Sequence, residues 1–129
     1  MLLIGHSFIP SQKFYHIVNM EQAQHTPPSS TLWLPYSQNN LEIIEHLQNN
    51  QIDFALDIKD ITELIYASTL GAKFVTCSEM LAKTAQKIAE NYLFDTKILV
   101  HIDDDRMIEE IALLGIDGVI FPAGIVKAN

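Results

Sequence analysis

The sequence predicts a single α/β domain in which repeated βα units build a mostly parallel sheet. Five short apolar runs begin 20 to 24 residues apart, and each interval between them holds one helical pattern. The runs are continuously apolar, as in Phe74-Val75 and Ile98-Leu99-Val100, which is typical of parallel strands covered on both faces. The spacing and the apolar character together indicate that each strand is followed by a helix that returns the chain to the next strand.

The chain divides into two regions near residue 30. Two short β-like segments, residues 2–8 and 14–18, come first, followed by the polar stretch 19–30. Pro27-Pro28 blocks a helix there, so we expect an irregular, mobile connection. Residues 1–30 are therefore predicted to be an irregular, β-rich segment, and residues 31–125 a βα array. The predicted strands of the array cover residues 31–35, 53–57, 73–77, 97–102 and 117–121.

The helical patterns of the array have recognisable start and stop signals. Short polar or acidic side chains stand where the first free amides of a helix need an acceptor. Glycine or asparagine stands where the chain must turn left-handed after a helix. The predicted N-caps are Ser37, Asp60, Ser78 and one of Asp103, Asp104 and Asp105, and the predicted stops are Asn50, Gly71 and Gly115.

One helical pattern begins at Glu79 and has a clear apolar stripe. Lys83 and Lys87 lie opposite that stripe, so we expect the stripe to pack into the core and not to bind a cofactor. Its residues are Met80, Leu81, Ala85, Ile88, Ala89 and Tyr92.

Composition excludes several classes of function. The 129 residues are 48% hydrophobic, which fits one globular domain, residues 1–129, with a core. The formal net charge of -8 gives little attraction for phosphates, so neither nucleic acid nor an anionic membrane is expected as a partner.

No apolar stretch approaches the roughly 18 residues of a membrane span, and the N-terminus lacks the pattern of a signal peptide. Cys77 is the single cysteine, so no internal disulfide forms and we expect a cytoplasmic protein.

The number of βα units limits the possible architectures. A closed eight-stranded βα barrel takes roughly 200 to 250 residues, more than this chain offers. We therefore expect either an incomplete, half TIM-barrel-like sheet or an open doubly wound sheet. Both leave an edge strand that needs cover, which favours a homodimer.

A functional site is expected at the carboxyl ends of the strands. Right-handed crossovers bring these ends to one edge of the sheet, where α/β proteins build their sites. The side chains that the sequence places there include Asp57, Lys59, Cys77 and the run 101–105.

The order of several motifs resembles the transaldolase and fructose-6-phosphate aldolase family. Residues 31–37, Thr-Leu-Trp-Leu-Pro-Tyr-Ser, and the helical pattern 41–47 are similar to a strand and helix of that family. Residues 70–75, Leu-Gly-Ala-Lys-Phe-Val, are similar to its Ala-Gly-Ala-Glu-Tyr-Val, and residues 106–122 resemble its penultimate helix and final barrel strand. The resemblance spans residues 31–125 and implies the later strands of a barrel that transfers or cleaves phosphosugars through a Schiff base.

The residues that would carry this chemistry are missing. Trp33 occupies the position of the family's Schiff-base lysine, and an indole cannot form an imine with a ketose. Residues 78–80 provide no counterpart of its phosphate-binding arginine, and the acidic run 103–105 would repel a phosphate. The sequence therefore predicts a truncated, non-catalytic, transaldolase-like protein without a cofactor, which binds an unidentified ligand or partner and self-associates.

The alternative is a small-molecule enzyme with a reinvented acidic or metal-assisted site at the strand ends. Asp57, His101 and Asp103 form an oxygen and imidazole set that suits a divalent ion, although capping carboxylates and a partly exposed histidine are the favoured interpretation of these residues. Lys59 is a further candidate, because residues 56–61 are similar to the Asp-x-Lys-x-x-Asp stretch of the orotidine-phosphate decarboxylase superfamily. Thr62 stands where the second Asp of that stretch should be.

Cys77 and the histidines complete the candidate residues. Cys77 could act as a nucleophile with His101 as its base, or it is simply a small buried strand residue. We expect the remaining histidines at the surface, because they share no common spacing: His6, His16, His25 and His46.

Overall fold

The computed structural model describes residues 1–129 in eight strands and five α-helices. The longest helix has 13 residues, and none of the five is both long and apolar enough to cross a bilayer. The strands are β1 (Leu2–Ile4), β2 (Phe14–His16), β3 (Thr31–Pro35), β4 (Phe54–Asp57), β5 (Phe74–Cys77), β6 (Lys97–His101), β7 (Gly118–Ile120) and β8 (Ile125–Lys127). The helices are α1 (Met20–His25), α2 (Leu41–Asn49), α3 (Ile61–Thr69), α4 (Glu79–Asn91) and α5 (Ile108–Leu113), and 3₁₀ turns occur at Gln38–Asn40, Asp105–Met107 and Pro122–Gly124.

All eight strands pair in parallel in one sheet. Their order is β1-β7-β6-β5-β4-β3-β2-β8, so the strands from β2 to β7 lie beside their neighbours in sequence. A helix connects each of these strands to the next, as the regular spacing of the apolar runs predicts. The predicted α/β class with repeated βα units is confirmed.

The sheet curls around a small inner cluster. Every strand contributes one residue to this cluster or packs one residue against it, and no helix contributes any. The ring centroids of Phe14 in β2 and Phe74 in β5 are 5.1 Å apart, although two strands separate them in the sheet. The buried members are Ile4, Phe14, Ala55, Phe74, Leu99 and Ile120, with Trp33 and Ile125 packed against them.

The helices all pack on the outer face of the sheet. A second cluster of 25 buried residues joins the outward side chains of the strands, such as Val75 and Val100, to helical residues such as Ile44 and Leu64. Because helices cover only one face and the other face closes on itself, the architecture is a curled half-barrel. This is the first of the two expected architectures and not the doubly wound sheet, which carries helices on both faces.

The two edges of the curled sheet meet at a pair of glycines. The amide of Phe121 donates to the carbonyl of Ile4 over 2.9 Å, which continues the ladder between β1 and β7 beyond the end of β7. Gly5 adopts a φ of +79°, and a Cβ on it would overlap the backbone of Gly124. No ladder joins β1 to β8, so this seam is closed by backbone packing and not by strand pairing.

The N-terminal region is more regular than the sequence predicts. Residues 20–25 form α1, which begins where the Asn19 side chain accepts a hydrogen bond of 2.8 Å from the Gln22 amide. Ala23 of this helix is buried in the outer core. The expected irregular connection is therefore wrong for α1 and holds only for residues 26–30, because Pro27 ends the helix without preventing a capped turn before it.

Most of the predicted helix signals occupy the predicted positions. The side chains of Ser37, Asp60 and Asp104 accept hydrogen bonds at the starts of their helical turns, whereas Ser78 is an N-cap residue without a side-chain bond. Gly71 and Gly115 have the expected positive φ angles. The prediction for Asn50 is wrong, because Gln51 takes the left-handed conformation after α2 with a φ of 55°.

The predicted apolar stripe of α4 is wrong at both ends. Met80 is 95% exposed and Tyr92 is exposed as well. The buried face consists of Ala82, Ala85, Gln86 and Ala89. Small side chains let the helix pack closely on the sheet, and the Gln86 carboxamide oxygen accepts a 2.9 Å bond from the Asp117 amide, which satisfies this polar group inside the interface.

The seam offers a test of the curl. Replacing Gly5 by Ala combines an unfavourable positive φ with overlap against Gly124, whereas Gly115→Ala has the same kind of φ and nothing within 4 Å of the new Cβ. We expect Gly115→Ala to cost about 1–2 kcal/mol of unfolding free energy, and Gly5→Ala to cost about 2 kcal/mol more because of the steric overlap. Urea unfolding of both variants measures the difference, and equal losses would contradict the described seam.

Candidate functional site

The candidate site lies on the inner face of the half-barrel, where the parallel strands end. Side chains alternate between the faces of a strand, so the residue two positions after a member of the inner cluster also faces inward. In β4 this step leads from Ala55 to Asp57, and in β6 it leads from Leu99 to His101. Inward residues near the strand ends, together with Trp33 at the edge of the inner cluster, form the mouth of the half-barrel: His16, Trp33, Asp57, Thr76, His101 and Lys127.

Asp57 and His101 are in direct contact across the mouth. The His101 Nε2 atom lies 2.7 Å from Asp57 Oδ1, although β5 stands between their two strands in the sheet. The intervening strand supplies Thr76, whose hydroxyl donates to the same Asp57 oxygen over 2.7 Å. Two donors therefore converge on one carboxylate oxygen.

A tryptophan extends this hydrogen-bonded chain to a fourth strand. The indole Nε1–H of Trp33 donates to Thr76 Oγ1 over 2.9 Å, so the hydroxyl accepts from the indole and donates to the carboxylate. This direction leaves the Asp57 oxygen as the acceptor and requires His101 Nε2 to carry a hydrogen. The chain from Trp33 through Thr76 and Asp57 to His101 thus fixes the neutral imidazole in the Nε2–H tautomer.

The second ring nitrogen of His101 is available for a ligand. Nδ1 forms no hydrogen bond within the protein, and 40% of the His101 side chain is exposed, against 28% for Asp57. A cavity of about 400 Å³ adjoins the ring. It is lined by His101, Ile102, Asp103, Met107, Ile120 and Pro122.

The three predicted metal ligands are only partly brought together. Asp57 and His101 bond to each other, while the Asp103 side chain makes no hydrogen bond to either and lines the adjoining cavity. Ile102 is buried in the outer core, so the chain turns away from the mouth before Asp103. No group of three or more His, Cys, Asp or Glu side chains is placed to hold a metal ion, and the prediction of a three-ligand set is wrong at Asp103.

Cys77 and His101 lie on opposite faces of the sheet. Cys77 is buried in the outer, helix-packed core, whereas His101 faces the mouth and bonds to Asp57. Burial, and secondarily the negative charge of Asp57, raises the pKa of the Cys77 thiol to about 12. The alternative of a nucleophile with His101 as its base is therefore wrong, and the favoured interpretation, a small buried strand residue, describes Cys77.

Lys59 stands apart from the contact between Asp57 and His101. It is exposed in the loop after β4, where its amide donates to Glu63 Oε1 over 2.9 Å. Its ammonium forms no hydrogen bond or ion pair with either mouth residue. Lys59 therefore stabilises the start of α3 through its backbone amide, and its side chain takes no part in the mouth.

Two residues of the acidic run after β6, Asp104 and Asp105, have different structural roles. Asp104 caps the following 3₁₀ turn and forms an ion pair of 2.6 Å with Arg106. Hydrogen bonds from Arg106 lower the pKa of Asp104, and the same contact raises the pKa of Arg106. Asp105 instead meets a histidine from the N-terminal region.

That histidine, His6, is not at the surface as predicted. Only 4% of its side chain is exposed, and its ring packs edge-on against Phe8 and Phe121. Nδ1 accepts from the Phe8 amide over 3.2 Å, and Nε2 lies 3.3 Å from Asp105 Oδ2. His6 comes two residues after Ile4, a member of the inner cluster, so its ring faces inward.

His16 also departs from the surface prediction, because it packs edge-on against Trp33 with the ring centroids 4.7 Å apart. His25 is exposed as predicted, and His46 is half-buried in α2. Sequence reasoning missed two residues of the mouth, Lys127 in the unpredicted strand β8 and Thr76 in β5. Thr76 lies inside an apolar strand, and only its inward direction distinguishes it from a core residue.

Comparison with protein-family models and with curated protein sequences gave no match. The resemblance to the transaldolase family therefore stays a prediction. Trp33, to which the resemblance assigns the position of the Schiff-base lysine, faces the mouth and donates to Thr76. The carboxyl ends of the strands thus carry a hydrogen-bonded chain of four side chains.

The reactivity of the Cys77 thiol tests whether this residue is buried in the outer core of the sheet. We expect it to resist an aromatic disulfide reagent at pH 8 in the folded protein and to react at once in denaturant, because burial disfavours the thiolate. A native protein that reacts as fast as the unfolded chain would contradict the position of Cys77 in the outer core.

The same thiol contributes to the dependence of stability on pH. Well below pH 9 it is protonated in both the folded and the unfolded state. Between 9.0, its ordinary pKa, and about 12, its folded pKa, the unfolded chain binds fewer protons than the folded one, so the free energy of unfolding falls as pH rises. Urea titrations between pH 8 and pH 10.5 should show a smaller decline in unfolding free energy for Cys77→Ala than for the wild type. An equal decline in both proteins would contradict the contribution of the thiol.

Proposed function

We propose that this protein is a small-molecule enzyme in which His101 transfers a proton at the mouth of the half-barrel. The observation that carries the proposal is the 2.7 Å bond between His101 Nε2 and Asp57 Oδ1. An imidazole held by a carboxylate at one nitrogen and open to solvent at the other is the usual arrangement of a general base. The site needs no metal for this role.

The proposed step uses Nδ1 of His101 as the base. When Nδ1 takes a proton from the substrate, the ring becomes an imidazolium whose Nε2–H still points at Asp57. The Asp57 carboxylate then stabilises the new positive charge. Thr76 and Trp33 keep the carboxylate in place, so the geometry of the pair is set before the substrate binds. The proton returns from Nδ1 to the product.

The adjoining cavity supports a small substrate. Its volume of about 400 Å³ falls within the range of small-molecule sites, and its lining combines apolar side chains such as Met107 and Ile120 with His101 and Asp103. The ancestry that we propose, a truncated relative of the transaldolase family, is compatible with this role. An imine step remains excluded for Trp33, so the expected chemistry is proton transfer and not aldol cleavage through a Schiff base.

Deuterium exchange tests the proposal across several classes of carbon acid at once. The protein is incubated in D2O with a panel of small ketones, aldehydes and hydroxy acids, and NMR detects replacement of C–H by C–D. We expect at least one compound to exchange. His101→Gln should lower the rate about 10²- to 10⁴-fold, because it removes the base, and Asp57→Asn should lower it by a similar factor, because the tautomer is no longer fixed.

His25→Gln is the matched control, because His25 is exposed on α1 and bonds only to the backbone carbonyl of Glu21. It should leave the exchange rate unchanged. Exchange at the uncatalysed rate with every compound, or a rate that His101→Gln does not alter, would contradict the proposed function. Borohydride trapping of a ketose phosphate on the protein would instead reveal an imine-forming lysine and refute the exclusion of Schiff-base chemistry.

The second candidate is the non-catalytic interaction protein, which we propose would self-associate as a homodimer. Exposed apolar side chains at the amino-terminal edge of the sheet favour it. Leu93 follows α4 and is 86% exposed, and Leu113 ends α5 and is 83% exposed. For either candidate we propose a cytoplasmic location, which the unpaired Cys77 supports.

Replacing these two leucines tests self-association. We expect Leu93→Asp combined with Leu113→Asp to convert a dimer to a monomer in native mass spectrometry, because two charges would lie in an apolar interface. Met80→Asp is the control at the opposite edge, since Met80 is also exposed. A wild-type protein that is monomeric at micromolar concentration, or a dimer that survives both leucine changes, would contradict this candidate.

A further inference from the structure

A lysine and a histidine stand side by side in the mouth, away from the pair formed by Asp57 and His101. Strands β2 and β8 pair in parallel, with Phe14 opposite Ile125 and His16 opposite Lys127. Phe14 belongs to the inner cluster and Ile125 packs against it. His16 and Lys127 come two residues later in their strands, so both face the mouth.

The next strand places the tryptophan beside them. Register puts His16 opposite Trp33 in β3, and the two rings meet edge-on with centroids 4.7 Å apart. Lys127, His16 and Trp33 are thus consecutive neighbours across three strands. Trp33 connects this group to Asp57 and His101 through Thr76, so both groups belong to one mouth.

The backbone around Lys127 is held on both sides. The Ala128 amide donates to the His16 carbonyl over 3.1 Å, and the Gln22 side chain donates to the Ala128 carbonyl over 3.2 Å. Gln22 also accepts from the Val18 amide over 2.8 Å. The position of the lysine stem is therefore set by the fold, while its side chain is exposed to the mouth.

The Lys127 ammonium has no acidic partner within the protein. The four ion pairs join His6 to Asp105, Lys73 to Asp53, His101 to Asp57 and Arg106 to Asp104, and none includes Lys127 or His16. The one carboxylate of the mouth, Asp57, already accepts from Thr76 and His101. In a chain with a net charge of -8, an inward lysine without a counterion is a ready partner for an anion.

We infer that Lys127 binds the carboxylate of a small substrate, with His16 as a neighbouring donor, and that His101 acts on the same molecule. This inference rests on the proposed function, and it makes Lys127 the residue that selects an acid over its neutral analogue. The substrate would extend from the cavity beside His101 across the mouth, so its reacting carbon would lie near β6 and its carboxylate at β8 and β2, outside the residues that line that cavity.

The geometry favours a carboxylate over a phosphate. One ammonium balances one carboxylate, whereas a phosphate dianion needs further donors, commonly the free amides of a helix N-terminus. The amide next to Lys127 is not free, because the Ala128 N–H donates to His16. The negative charge of Asp57 in the same mouth would also repel a dianion more than a monoanion.

Trp33 supplies a direct readout, because it is the only tryptophan of the chain. Its indole N–H gives a single, identifiable signal in a ¹H–¹⁵N NMR spectrum. The protein is titrated with acetate at constant ionic strength, and with acetamide as the neutral analogue of the same shape. We expect acetate to shift the indole signal in a saturable way and acetamide to leave it in place.

Four variants identify the origin of the shift. Lys127→Gln should weaken acetate binding about tenfold or more, because it removes a charge-assisted hydrogen bond, whereas Lys127→Arg keeps the charge and should retain most of the affinity. Lys83→Gln, on the outer side of α4, controls for the loss of one positive charge. His101→Gln should retain acetate binding, and the same spectra show whether each variant is folded.

The outcomes separate this inference from the proposed function. Equal shifts with acetate and acetamide, no shift with either, or an affinity that Lys127→Gln leaves unchanged would overturn the role of Lys127. Tighter binding of inorganic phosphate than of acetate would overturn the assignment of a carboxylate. If acetate binds through Lys127 while deuterium exchange is absent, the proposed proton transfer fails and the carboxylate site stands.

Discussion

The packing of the inner cluster is the constraint on which the rest of the structure depends. No helix reaches this face, so the sheet covers it by curling until side chains from opposite strands touch. Phe14 and Phe74 make this contact with rings that are both buried, and each such side chain contributes about 1.5–3 kcal/mol on burial. Ala55 and Gly118 leave room on the strands between larger neighbours. A flat sheet of the same strands would expose all of this surface to water.

The curl also decides what stands at the mouth. Two residues beyond the inner cluster the side chains still converge, but Asp57 and His101 are partly exposed to water, while the buried Thr76 is satisfied by its hydrogen bonds. In β4, β5 and β6 this step produces a carboxylate, a hydroxyl and an imidazole, which satisfy one another through Asp57. The helices contribute no side chain to this network, and their part is to hold the strand ends in position from outside. The acid–base groups and the apolar cluster thus lie on the same inner face of the sheet, with the acid–base groups nearer the carboxyl ends of the strands.

The central strands could be predicted from the sequence, but the face of the sheet to which each of their side chains points could not. Continuous apolar runs identified β3 to β7 because both faces of these strands are buried, one by helices and one by the curl. The three-residue strand β8 was missed because Ile125-Val126 is too short to show a hydrophobic pattern. Helix α1 was missed because Pro27-Pro28 indicated an irregular segment, although a proline does not prevent a helix that ends before it. Asp57 and His101 could be predicted to share an edge from the topology of parallel sheets. Thr76 and His6 could not be assigned, because inward and outward positions differ only once the curl is known.

The order of the strands has a consequence for how the chain reaches its native state. Neighbours from β2 to β7 are connected by short stretches of sequence, so their pairing closes small loops. The two terminal pairings are different: Leu2 meets Gly118 and Phe14 meets Ile125, contacts that span most of the chain and carry the greatest loop-closure entropy. The central array should therefore assemble before the outermost strands dock, and the inner cluster becomes dry only in that final step. Lys127 and His16 meet through one of these late contacts, so the mouth is completed only as folding ends.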